Sequence, residues 1–310
     1  MRALSAVKRC GALLVLAALL LTGCGIAASY RPADKKTIRD FSGDAYHMRV
    51  GVMALVNTTR YTGTQMAAPF MQRFLERMHE EIPDALMVLP GETGAPTFLW
   101  QPPRLANGEL DVFSLSALAR RDGFNVLVRP ALMDARVRKE DTGFWIFKGV
   151  NYYLQIQTAA SVYDAVTGAR LLLKMRSDEV EIDEQQAGMF EAGQEVPVDD
   201  LTGIVEEAGE ALGEQMGDAV AQGRWLATVI AVNDDGCVIP AGSESGLDVG
   251  DKLAILDGSA MLTGIDGEHY RVPGPKIGEV VVRQVSPRSA LVSPESGPLP
   301  PVGSLVIPGS

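Results

Sequence analysis

The sequence predicts an α+β protein: an α/β sandwich domain, with a mixed sheet and helices packed on it, followed by a small all-β barrel-like domain. Three observations carry this. Between residues 46 and 222, apolar strand-like runs alternate with helical stripes of three- and four-residue period. After Gly223 only short β runs remain, separated by Gly, Pro, Asp and Ser. The length of 310 residues suits two ordinary domains, and 46% hydrophobic against 22% charged residues describes a globular chain.

The elements follow in order. Arg49 to Thr58 is apolar and β-branched enough for a buried strand that stops at polar turn residues. Met66, Phe70, Met71, Phe74, Leu75, Met78 and Ile82 then place one apolar stripe on a helix, ended by Pro83. Leu86–Leu89 reads as a short strand before a Pro/Gly-rich loop through Pro103. A second helix near Val112 to Arg121 ends at Asp122-Gly123, a C-cap pattern. Asn125 to Val137 reads as a strand, and Tyr153–Tyr163 with Arg170–Ile182 as a hairpin, in whose turn Gly168 supplies the positive φ.

Asp199 and Asp200 open a last helix to about Gln222, with carboxylates at its positive end. Gly209, Gly213 and Gly217 recur every fourth residue on it, a spacing that permits close backbone approach. Packing of this helix on the sheet is favoured over a helix–helix interface. The β runs of the tail are Trp225–Val232, Lys252–Leu256, Ile277–Val285, Ala290–Ser293 and Ser304–Ile307. Asn233-Asp234-Asp235-Gly236 reads as a hairpin turn, not a calcium loop.

The N-terminal segment carries most of the functional information. Arg2, Lys8 and Arg9 precede an apolar run from Gly11 to Leu21, about half the length a membrane-spanning helix needs. This is a secretion leader. It ends Leu21-Thr22-Gly23-Cys24, which resembles the bacterial lipobox, so the resemblance implies cleavage between Gly23 and Cys24 and acylation of Cys24. The several acyl chains of such proteins would hold the chain firmly, where one chain binds only marginally. Gly25, in place of Asp, resembles the sorting pattern for the outer membrane. The expected organisation is therefore a leader at 1–23, a lipidated N-terminus and tether at 24–45, an α/β domain at 46–223 and a β domain at 224–310.

The net charge of −11 argues against a nucleic-acid partner, because phosphate binding is driven by clustered Lys and Arg. Loss of the leader removes three basic and no acidic side chains, leaving 25 basic against 39 acidic. Cys10 goes with the leader and Cys24 is blocked, so Cys237 is the one remaining thiol; its apolar surroundings predict a buried, inert group. No cofactor and no metal site are expected: phosphate-loop, dinucleotide and nucleophile-elbow motifs are absent, and His47, His79 and His269 are scattered. The chain is expected not to be an enzyme; the second alternative is an unrecognised periplasmic enzyme, since a catalytic carboxylate pair leaves no local signature.

Phe144, Trp145, Phe147, Tyr152 and Tyr153 place five of nineteen aromatics within ten residues. Such amphipathic rings suit an interaction surface, at a protein partner or at membrane headgroups, and equally suit an aromatic cluster folded into the core.

Val50–Asn57, Ala119–Val128 and Ser161–Leu171 together resemble the domain shared by curli-secretion lipoproteins, penicillin-binding-protein activator lipoproteins and the middle part of flagellar assembly T proteins. Gly246–Leu253 and Ile277–Val280 are similar to the C-terminal β domain of the flagellar proteins. The resemblance implies an envelope adaptor anchored on the periplasmic side of the outer membrane, with periplasmic or outer-membrane protein partners and scope for homo-oligomers. The alternative it carries is a subunit of a curli-type secretion channel. That would require 143–164 and 169–193 to act as amphipathic membrane hairpins, and the charges from Lys174 to Glu184 leave no clear apolar band there.

Overall fold

The computed structural model describes residues 46–59, 64–144, 147–194, 196, 201–265 and 267–309. The leader, Cys24 and the tether lie outside the described residues, as do Asp199 and Asp200.

The first layer is a mixed six-stranded sheet. Its strands are β1 (Arg49–Val52), β2 (Val56–Asn57), β3 (Leu86–Val88), β4 (Val126–Phe144), β5 (Phe147–Asp164) and β6 (Arg170–Ile182). The order is β3-β1-β4-β5-β6, with β2 also on β4. Pairs β1–β3, β1–β4 and β2–β4 are parallel, while β4–β5 and β5–β6 are antiparallel. Parallel neighbours need crossovers, and helices α1 (Thr64–Glu81) and α2 (Val112–Arg121) lie in those connections. Helices α3 (Glu184–Glu191) and α4 (Leu201–Ala221) follow β6.

Period-two alternation divides each strand between two faces. Val50, Val128, Leu154, Ile156 and Val162 face Phe70, Phe74, Met78, Val205, Leu212 and Met216 of α1 and α4 in the main core. The opposite face carries Leu127 and Tyr163, covered at one end by Phe98, Leu99, Leu115, Ala119 and Phe124.

The glycines of α4 correct the expectation that they serve sheet packing. A Cβ on Gly209 would come within 2.4 Å of the Phe70 carbonyl oxygen, on Gly213 within 2.5 Å of that of Phe74, and on Gly217 within 2.5 Å of the Glu81 Cβ. The glycine row is therefore the seat of α1, a helix–helix interface. Neighbouring side chains of α4 still reach the sheet; only the glycine row is flat enough for another helix backbone. Arg73–Glu210 (3.8 Å) and Arg77–Glu214 (3.5 Å) flank this contact.

β4 and β5 also run further than the sequence predicts. Pairing continues from Val126↔Asp164 to Phe144↔Phe147, so the strand does not stop at Val137 and its partner begins before Tyr153. Lys139-Glu140-Asp141-Thr142-Gly143 has little intrinsic strand preference; cross-strand pairing carries it.

The tail forms a second, antiparallel sheet of β7 (Ala227–Thr228), β8 (Ala231–Asn233), β9 (Gly236–Ile239), β10 (Lys252–Leu256), β13 (Lys276–Val285), β14 (Ala290–Pro294) and β15 (Leu305–Pro308). A two-stranded pair, β11 (Met261–Thr263) and β12 (His269–Arg271), stands beside it. The order β7-β15-β10-β13-β14-β9-β8 puts sequence neighbours β7 and β8 at opposite edges. Two intervening residues join those edges, with Val229 N–H on the Ser304 carbonyl (2.9 Å) and Ile230 N–H on that of Val238 (2.9 Å). The sheet must curl into a half-barrel for this to happen. The single strand expected over Trp225–Val232 is accordingly two short ones with different partners. Asn233↔Gly236 closes the expected hairpin turn.

Both sheets belong to one unit, Ser42–Ser310. Asn125 joins them: its Oδ1 accepts from Arg49 N–H (2.9 Å) and its Nδ2 donates to the Leu226 carbonyl (2.6 Å). Gly123, at φ +78°, sits where a Cβ would lie 2.0 Å from the Pro240 carbonyl oxygen. The Tyr46 ring packs tilted against Trp225, centroids 4.9 Å apart, and its hydroxyl donates to Asp251 (3.1 Å). Burial and the Asp251 carboxylate push its phenol up to about 12.

Candidate functional site

The face of the first sheet turned away from α1 and α4, beyond the end that α2 covers, is the surface with features that folding does not use. Cross-strand register aligns Ala131, Ala159 and Met175 in one row and Arg129, Ser161 and Leu173 in the next. Here Leu171, Leu173 and Met175 of edge strand β6 are 49%, 44% and 60% exposed, with Met133 nearby on β4 also exposed. Towards the far end the same face turns polar: Arg138 lies 4.5 Å over the Tyr153 ring and bonds Glu179 (3.0 Å) and Glu140 (2.7 Å).

Beyond Tyr152↔Ile182, β6 has no further partner on β5, and β4–β5 continue as a two-stranded arm. Five residue pairs, Glu140↔Asn151 to Phe144↔Phe147, make it about 15–17 Å long. Glu140, Asp141, Gly149 and Val150 are exposed. Of the five aromatics singled out by sequence, Phe144 and Phe147 pair at the arm's end and Trp145 lies outside the described residues, between them. Tyr152 and Tyr153 stand at its base on opposite faces: Tyr152 packs against the main core with Lys139 5.5 Å from its ring, and Tyr153 lies on the open face. Tyr152 and Tyr153 thus do not share one surface. Adjacent charges Glu140 and Asp141 also put one carboxylate on each side of the ribbon, which a lipid-facing strand does not tolerate at depth.

At the other end of the open face is a cleft of about 990 Å³. Arg129 and Tyr163 line it from the sheet; one wall is the loop from Arg104 to Asp111 with Val112 and Phe113 at the start of α2, and the other is His269 and Tyr270 of β12. Local structure explains the walls. Asp111 caps α2, accepting from Ser114 N–H (3.0 Å) and Oγ (2.6 Å), and those bonds hold its carboxyl below the usual range. Arg120 donates to the carbonyls of Val166 (2.8 Å) and Ala165 (3.3 Å), tying α2 to the β5–β6 turn; burial, and then Arg271, lower its pKa to about 10. That turn is built on Asp164, which accepts from Val166 N–H and Thr167 Oγ1, with Gly168 at φ +81°. Arg271 N–H on the Thr167 carbonyl (2.9 Å) and Phe113 edge-on to His269 (5.7 Å) bring the second wall in.

His269 Nδ1 meets Thr263 Oγ1 at 3.2 Å, and no ion pair among the described residues involves a histidine. His47 and His79 lie elsewhere: His47 N–H bonds the Ser245 carbonyl, and His79 is in the last turn of α1. No group of three or more His, Cys, Asp and Glu side chains placed to hold a metal ion occurs among the described residues. Cys237 is buried, its Sγ 3.6 Å from the Pro300 carbonyl oxygen, and burial pushes its thiol up. No helix among the described residues is long and apolar enough to cross a membrane.

No protein-family model matches the chain, and no curated protein matches it in sequence. Solved structures similar to parts of it include the hypothetical protein CT253 of Chlamydia trachomatis (10% identity, TM-score 0.33, 56% of this chain and 98% of that one). Others are lipoprotein GNA1162 of Neisseria meningitidis (10%, 0.27, 47% and 93%) and the PelC dodecamer of Paraburkholderia phytofirmans (8%, 0.31, 55% and 88%). Similarity at this level carries no argument about activity, so the functional reading rests on this chain's own residues.

Proposed function

We propose that the chain is a lipid-anchored envelope protein, held through Cys24 on the periplasmic side of the outer membrane. There it acts as a non-enzymatic adaptor that offers the open sheet face and the β4–β5 arm to protein partners. The observation that carries the anchor is the leader ending Leu21-Thr22-Gly23-Cys24. The adaptor part is supported by the apolar row Leu171, Leu173 and Met175, left uncovered on the face opposite the main core. Which assembly it serves, flagellar, secretory or cell-wall, is read by capturing the lipidated protein from its own envelope.

Cys24→Ser tests the anchor: the variant should leave the membrane fraction, and continued retention would overturn it. The projecting hairpin is the one feature that favours the channel reading, in which copies join their arms into a barrel. Purified lipidated protein should give no ion conductance in a planar bilayer; ring-shaped conducting oligomers would replace the adaptor with the channel. Self-association without conductance, through the same open face, is compatible with the adaptor and is read by sedimentation.

A further inference from the structure

The cleft between the first sheet and the β11–β12 pair points to a ligand of definite chemistry. Arg129 lines it from the sheet with its Nε buried and without a hydrogen-bond partner, and no ion pair or hydrogen bond among the described residues engages its guanidinium. Arg170, opposite Tyr163 across the strand pair, is exposed and likewise unpaired. What sets Arg129 apart is burial: its unpartnered Nε is shielded from solvent, where a buried polar group normally has a partner. Carboxylates are present in the cleft, but they are turned to other work: Asp111 caps α2, Glu109 accepts from Asn107 (2.8 Å), and Glu268 lies over Gly264 of its own hairpin. Beside the two arginines, Leu105 and Phe113 are 48% and 41% exposed, and Tyr163 and Tyr270 also line the cleft. A half-buried cation left open next to exposed apolar surface matches an organic anion with an apolar body.

We propose that this cleft is a binding site for a peptide carboxylate. In it Arg129 receives the carboxylate in a two-pronged hydrogen bond, Arg170 adds charge, and Phe113 with Leu105 holds an apolar side chain. The carboxylate can come from a chain terminus or from an Asp or Glu side chain. The site needs neither the anchor nor the arm, so it stands or falls separately from the proposed adaptor role.

The test is ligand-observed NMR on the full chain with three probes: N-acetyl-phenylalanine, its amide, and N-acetyl-aspartyl-phenylalaninamide. The free acid should bind in the millimolar range expected of so small a ligand, and the simple amide at least tenfold more weakly. Strong binding of the aspartyl probe would assign the site to acidic side chains, and its absence beside a binding free acid to chain termini. Arg129→Gln, with an unchanged melting temperature, should weaken the acid at least tenfold. Should that variant fail to fold, Arg170→Gln, at an exposed position, should weaken it about threefold. Equal binding of acid and amide, no binding by either carboxylate probe, or wild-type affinity in a folded Arg129→Gln would each overturn the proposal.

Discussion

The two faces of the first sheet are made from alternate residues of the same strands, yet they differ in almost every physical respect. On one, Leu154, Ile156 and Val162 are sealed by α1 and α4, whose own separation is set by three glycines. On the other, Ala159 and Ser161 are buried, while Leu171, Leu173 and Met175 of the edge strand meet water. A protein that needed its sheet only for stability would gain from covering both faces. At about 25 cal/mol per Å² of apolar area, leaving one face open forgoes several kcal/mol. The difference teaches that folding is settled on the helix face, so the open face, its cleft and its arm are free to be shaped by partners.

The comparison is broken most forcefully on the helix face. Gly213→Val places side-chain atoms where even a Cβ lies 2.5 Å from the Phe74 carbonyl oxygen, so α1 and α4 must separate. A loss of about 3 kcal/mol is expected in urea unfolding, the upper part of the range for overpacked interfaces. An unchanged midpoint would show that the helices are not held at this distance. Asn125→Leu comes next. It leaves the Arg49 N–H and Leu226 carbonyl buried without their partner, at about 2 kcal/mol, and should loosen the second sheet from the first. Limited proteolysis near Leu226 checks the loosening.

The same tests on the open face should be almost silent in stability. Leu173→Ser is expected within about 0.5 kcal/mol of the parent, because the side chain is already 44% exposed. Its effect should appear as reduced partner capture instead. The smallest effect is one of pH. Tyr46 holds its proton up to about 12 in the folded chain against about 10 unfolded, so its contribution is complete below pH 10 and is lost as pH rises from about 10 to about 12. Tyr46→Phe, which loses the Asp251 hydrogen bond, should lower the melting temperature slightly at neutral pH and flatten the alkaline fall over that window.

Legibility in the sequence follows the same division. Helix stripes, the capped end of α2 at Asp122-Gly123 and the Gly168 turn are all local patterns, and each is found where the residues predict it. What escapes is set by non-local partners. The length of β4–β5 depends on pairing that overrides the weak strand preference of residues 139–143. The glycine row of α4 announces a close approach without saying to what, and Phe70 and Phe74, more than 130 positions away, supply the answer. The cleft has one signal in the sequence, a single arginine, Arg129, within the otherwise apolar run of residues 126–132. Its walls come from loops near 104–113 and 267–270, whose convergence no spacing reveals. The proposed lipidation at Cys24, by contrast, rests on the sequence alone.

The division of labour between the faces is tested most directly by site-specific photo-cross-linking in the native envelope. A photoreactive phenylalanine analogue would replace Leu173 on the open face in one strain, and Gln72, exposed on the outside of α1, in another. The account predicts discrete protein adducts from position 173 and none from position 72. Adducts at 72 with none at 173 would contradict it.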